Sequence, residues 1–107
     1  MFLTWFRTEE VDALADSLAN EFSRRCPAPT IDEQTPQAKN RLKSASELMC
    51  HRVKVFSERQ RLNLFKRARL ANSLKWKLAA LGYDKETINA LSYEVAKIAT
   101  LSKAKKT

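Results

Sequence analysis

Apolar residues return every three or four positions through most of this chain, the spacing that one face of an α-helix requires. Val11, Leu14, Ala15, Leu18, Ala19 and Phe22 form the first such series, while Glu9, Asp12 and Asp16 share another face. Thr8 stands where an N-cap belongs, Glu9 and Glu10 suit the positive end of the helix dipole, and Arg24 and Arg25 suit its negative end. The pattern predicts a first helix over residues 9–25.

Pro27 and Pro29, with Asp32, Glu33 and Gln34 close behind, interrupt the periodicity and predict a connection over residues 26–35. Thr35 followed by Pro36 is a start signal, because the threonine hydroxyl can cap and proline at the first helical position gives up no useful N–H. In the second helix Ala38, Leu42, Ala45, Met49, Val53 and Phe56 line the apolar face, with Lys39, Lys43 and Lys54 on one side and Arg41 and Arg52 on the other.

No glycine or proline follows until Gly82, so one helix of ~45 residues would run ~68 Å, too long for a compact domain. Ser57 with Gln60 three residues on reads as a capping box, which places a break or kink at Phe56–Glu58 and starts a third helix at Glu58. Helices 2 and 3 are then separate, or one long kinked helix. Leu64, Ala68, Ala71, Leu74, Leu78 and Leu81 give the third its stripe, and Gly82 is its stop. Asp84 caps a fourth helix in which Ile88, Leu91, Val95, Ile98 and Ala99 face inward. The expected fold is all-α: a small, mostly antiparallel four-helix bundle.

The 107 residues suit one domain, bounded by an aromatic segment at 1–8 and a basic tail at 102–107. One glycine and three prolines leave few residues for the tight turns of a many-stranded fold. No stretch has the ~18 apolar residues needed to span a bilayer, and the first six residues lack the parts of a secretory signal. Cys26 and Cys50, at no redox or metal spacing, read as free thiols of a reducing compartment, hence the cytoplasm.

Charge changes the picture more. The formal net charge is +8, and the excess is concentrated between Lys39 and Lys77, where twelve Lys and Arg face only Glu47 and Glu58. Such a balance speaks to partners rather than to fold. The residues before it are net acidic, so helix 1 has the charge to fold back on the basic helices. On a wheel of about 100° per residue, Arg59, Lys66, Arg69, Ser73 and Lys77 share one side of the third helix, with Phe65 and Trp76 along its edge. The expected role is a small accessory or regulatory protein that binds nucleic-acid backbone with little sequence reading, through Arg59, Lys66, Arg69 and Lys77, supported by Lys39, Lys43 and Lys54. Phe65 and Trp76 read as packing residues, since aromatic rings mostly serve as buried apolar mass.

Two other partner classes fit the same residues. A protein-interaction adaptor would use the basic face on an acidic protein, and exposed rings would make it a dimer or a subunit of a larger assembly. A peripheral membrane subunit would insert Phe2, Leu3, Trp5 and Phe6 at a lipid interface, against the repulsion of Glu9, Glu10 and Asp12 by anionic lipid.

Leu78 to Leu91 has a helix-turn-helix rhythm with Gly82 in the turn. Its second helix would present Glu86 and Glu94, which oppose insertion into a DNA groove. This stretch alone resembles the helical repeat of the RecX family of recombinase regulators, in which a helix ends in Leu, Gly and an aromatic; the resemblance implies a helical hairpin. Cys50 and His51 point about 100° apart on a helix and, with no second histidine, assemble no metal set. No acid pair, nucleophile–base arrangement or glycine-rich phosphate loop can be built, so neither an enzyme nor a cofactor is expected.

Overall fold

The structure is a computed structural model that describes residues 9–28, 35–60 and 62–101. The aromatic segment Phe2, Leu3, Trp5 and Phe6, most of the 26–35 connection, Arg61 and the 102–107 tail lie outside the described residues. The described residues form four helices: α1 (Glu9–Arg25), α2 (Pro36–Arg59), α3 (Leu64–Ala80) and α4 (Lys85–Leu101). The protein is an all-α four-helix bundle, with α1 packed on α3 and α2, and α4 packed on the same two helices.

The direction of each helix can be read from its polar partners. Asp12 of α1 meets Arg69 of α3, and fourteen residues later the Cys26 carbonyl accepts from the Tyr83 hydroxyl, both at a separation of 57 residues. A constant separation means that α1 and α3 run parallel. Glu21 meets Arg52, whereas Arg25 shares a depression with Gln37 and Arg41, so α1 and α2 are antiparallel. The first three helices therefore alternate in direction along the chain, with α1 and α3 parallel neighbours.

Local chemistry explains most of the helix limits. Thr35 is extended, with φ −83° and ψ 153°, and its hydroxyl accepts from Ala38 N at 3.1 Å, with Pro36 opening α2. At the end of α3, Gly82 takes φ +96°, Gly82 N donates to Ala79 O at 3.1 Å, and Tyr83 N donates to Leu78 O at 3.2 Å. This is a Schellman motif, and the buried Tyr83 supplies its apolar contact beside the buried Leu78. Asp84 accepts from Thr87 N at 3.3 Å and opens α4.

The boundary between α2 and α3 differs from the sequence expectation. No break occurs at Phe56–Glu58: α2 continues to Arg59, Gln60 turns extended at φ −132° and ψ 130°, and α3 begins at Leu64 rather than Glu58. Ser57 does not cap, because it falls on the buried stripe of Ala38, Ala45, Met49 and Val53 and packing holds it inside the helix. The cap is Asn63, whose Oδ1 accepts from Lys66 N at 2.8 Å. The α3 stripe is also rotated. Leu70, Leu74 and Leu78 are fully buried at four-residue spacing, whereas Leu64 is 72% exposed and Leu81 lies at the surface.

The core is continuous and runs through all four helices, from Val11 and Phe22 on α1 through Met49, Val53 and Leu74 to Val95. Two hydroxyls are misplaced in it. Ser57 and Ser92 are 1% and 2% exposed, and neither Oγ has a hydrogen-bond partner. A buried hydroxyl without a partner costs about 1–3 kcal/mol relative to a satisfied one. Ser57→Ala and Ser92→Ala are expected each to raise stability by about 1 kcal/mol, or ~4–8 °C in a circular-dichroism melt. A lower melting temperature for both would show that these hydroxyls are satisfied in solution.

Candidate nucleic-acid and partner-binding surfaces

The structure distributes the predicted cations over three places. Arg69 and Lys77 project from α3 toward the acidic side of α1. Arg69 Nε and Nη2 donate to the two carboxylate oxygens of Asp12 at 2.9 and 3.1 Å, and Ser73 Oγ donates to Asp12 Oδ1 at 3.1 Å. Lys77 Nζ lies 3.2 Å from Asp16 Oδ1. The hydrogen bond and charge of Asp12 hold the Arg69 guanidinium still further into its charged range. These two cations hold α1 and α3 in register, and their charge is locally balanced. Both carboxylates were legible as one face of helix 1, and the fold brings that face onto α3.

Arg59 does not lie on α3, where the early helix start had put it, but in the last turn of α2. Lys66 is half-buried at the start of α3, beside the Asn63 cap. Lys39, Lys43 and Lys54 are exposed along one flank of α2 and make no ion pair with the described residues. Glu47 and Glu58 stand four residues after Lys43 and Lys54, yet neither closes into a pair. The single basic face expected on α3 is therefore divided, and Lys39, Lys43 and Lys54, which make no ion pair with the described residues, lie on α2.

The sequence reading passed over one group on α2. Arg25 from the end of α1 joins Gln37, Asn40, Arg41, Ser44 and Ala45 around a shallow depression of about 460 Å³. Among the described residues its polar lining consists of guanidinium, amide and hydroxyl groups, with no carboxylate. Gln37, Asn40, Arg41 and Ser44 follow helical spacing on one face, which is a readable signal. Arg25 had looked only like a complement to the helix dipole, and the antiparallel return of α2 is what sets it beside Arg41.

Trp76 is not the packing residue expected, and Phe65 lies at the surface edge. Trp76 is 77% exposed and Phe65 40% exposed. The turn of α3 that buries Leu70, Leu74 and Leu78 carries both rings to the opposite, outward side. Trp76 forms one wall of a second depression, also about 460 Å³, shared with Asp12, Arg69, Asn72, Ser73 and Lys77.

The remaining reactive groups lie apart. Cys26 is buried and Cys50 half-buried, both as free thiols. Burial, followed by the charge of Glu94, pushes the Cys50 thiol up, with Lys97 opposing, so it is a weak nucleophile near neutral pH. His51 is exposed on α2. The Tyr83 phenol is likewise pushed up, chiefly by burial, with Ser23 opposing and Cys26 adding. Among the described residues no group of three metal-ligating side chains occurs, and no helix is long and apolar enough to cross a membrane. Comparison with protein-family models, with curated proteins and with solved structures finds no match.

Proposed function

We propose that the protein is a small, non-enzymatic accessory or regulatory protein that binds nucleic-acid backbone with little reading of sequence. The observation that carries this is the depression of Arg25, Gln37, Asn40, Arg41 and Ser44, with no carboxylate among its described lining residues, on a helix where exposed Lys39, Lys43 and Lys54 make no ion pair with the described residues. Guanidinium forks match phosphate oxygens, and amides and hydroxyls are common supporting donors. Lys39, Lys43 and Lys54 add positive charge on the other flank of the same helix. Contacts of this type fix a strand in position and carry no sequence information, hence the expected lack of specificity. With free thiols, a reducing compartment that contains nucleic acid, such as the cytoplasm, is the natural setting.

The proposal moves the footprint from α3, where Arg69 and Lys77 are held by α1, to α2. Oligonucleotide affinity is expected to fall with salt at a log–log slope of ~0.7–0.9 for each phosphate neutralised. Arg25→Gln with Arg41→Gln, and separately Lys39→Gln, Lys43→Gln and Lys54→Gln together, are expected to reduce that slope by about one for each cation removed. Arg69→Gln with Lys77→Gln is expected to leave binding nearly unchanged. No binding at low salt overturns the proposal, and loss of binding only in the Arg69/Lys77 variant returns the footprint to α3.

A further inference from the structure

α4 has a face that the bundle leaves uncovered. Its inner stripe, Leu91, Val95 and Ala99, is buried where the helix packs on α2 and α3. Directly opposite, Glu86, Ala90, Tyr93 and Lys97 follow one another at steps of four, three and four residues, and all four are exposed, Tyr93 at 66%. Steps of this kind make the seam along which one helix lies on another. A tyrosine ring held in water at the middle of such a seam has apolar area to bury.

The charge of α4 says what can lie there. α1 is acidic, α2 is basic and α3 carries cations with no acid, whereas α4 sets Lys85 and Lys97 against Glu86 and Glu94 and is balanced. Two chains that repel through a formal net charge of +8 therefore approach most easily by this helix. The order of residues along the seam is also self-complementary. In an antiparallel pairing centred midway between Ala90 and Tyr93, Ala90 of each copy lies opposite Tyr93 of the other, and Glu86 lies opposite Lys97. A small residue then faces a large one twice, and an acid faces a base twice. On the flank Glu94 comes to Thr87, so no like charges meet. We propose that the outward face of α4 binds a second copy of this chain as an antiparallel, two-fold symmetric helix pair.

The charges of the seam stand ready for that geometry. Lys97 Nζ lies 3.6 Å from Glu94 Oε1 on its own helix and 5.8 Å from the centre of the Tyr93 ring, two exposed contacts that hold the ammonium over the seam and leave room for a second carboxylate. Glu86 makes no ion pair with the described residues, and Lys97 of the second copy supplies one. A parallel pairing would instead set Glu86 against Glu86 and Lys97 against Lys97. Four seam positions bury little area, so half-association is expected at ~10–100 μM.

Sedimentation equilibrium of the full chain without nucleic acid, from ~5 μM to ~1 mM, is expected to show the average mass rising from that of one chain toward that of two. Glu86→Lys and Lys97→Glu, each alone, bring like charges together and are expected to raise the half-association concentration about tenfold or more, while the thermal melt at the lowest concentration stays unchanged. An equimolar mixture of the two variants restores both ion pairs and is expected to associate as the unaltered chain does. A single-chain mass throughout, association that neither charge reversal weakens, or a mixture no stronger than its separate variants overturns the inference. So does assembly beyond two chains. Oligonucleotide binding is measured independently, because the depression of Arg25 and Arg41 has no α4 residue among its described lining.

Discussion

Phe22→Ala is expected to lower the melting temperature by roughly 15–30 °C, following the loss of ~3–5 kcal/mol that removal of a buried phenylalanine brings. Phe22 is 1% exposed and among the largest fully buried side chains. Its ring lies 5.5 Å from that of Tyr83 at an interplanar angle of 58°, a tilted contact that contributes beyond area burial. The position also joins three parts of the fold: α1, the turn after α3, and the start of the chain's return toward α2. The Cys26 carbonyl, one turn on, accepts the Tyr83 hydroxyl at 2.5 Å. Truncation therefore opens a cavity where α1 meets the α3–α4 turn. Domains of this size hold only ~5–15 kcal/mol of stability, so a large part is at stake. A melt within about 5 °C of the unaltered protein would show that the surrounding helices close over the gap.

Phe22 also shows which parts of the fold the sequence made readable. Its place in the series Val11, Leu14, Ala15, Leu18, Ala19, Phe22 put it on the inner face, and all six are buried. Long, well-signed periodicity predicts burial because the helix alone fixes which residues share a face. The same logic recovered Thr35–Pro36, Gly82 and Asp84, each a residue whose own side chain or backbone freedom terminates a helix. It failed at Ser57, where a cap and a core position look alike in sequence and only the neighbouring helices decide between them. Asn63 went unnoticed because Lys66, not Glu or Gln, stands three residues on, so no capping box announced it. That error shifted the start of α3, and taking Leu64 and Leu81 instead of Leu70 as core turned its stripe away from the true one.

The candidate site was less legible for a different reason. Charge is visible in sequence, but its availability depends on what packs against it. Arg69 and Lys77 looked equivalent to Lys39 and Lys43 until α1 was laid beside them with Asp12 and Asp16. Exposed ion pairs of this kind add little stability each, so their main consequence here is positional. They balance two cations of α3, leave Trp76 on its outer side, and leave the depression of Arg25 and Arg41 as one with no carboxylate among its described lining residues. Arg25 and Arg41 come together across sixteen residues of chain only because α2 runs antiparallel to α1. The antiparallel order was expected from the sequence, but which residues it would set side by side was not.

The second large effect is expected at Gly82. Its φ of +96° lies in the region where a β-carbon is disfavoured, and Gly82→Ala is expected to cost about 1–2 kcal/mol, or ~5–15 °C in the melt. The strain arises in the backbone itself. A β-carbon there would approach only the Ala28 Cβ, at 3.8 Å, which is ordinary contact and not a clash. Asparagine tolerates this conformation better than alanine, so Gly82→Asn is expected to fall between the two. Gly82→Val is expected to be the worst, because branching at the β-carbon adds to the same strain. The order Gly, Asn, Ala, Val in melting temperature separates this account from one in which the residue matters for space, since asparagine is larger than alanine and would then be the poorer substitute. Equal melts for all four would mean that the turn rearranges without the left-handed residue. That would release the two Schellman bonds, and Tyr83 would no longer be held by the turn at the Cys26 carbonyl.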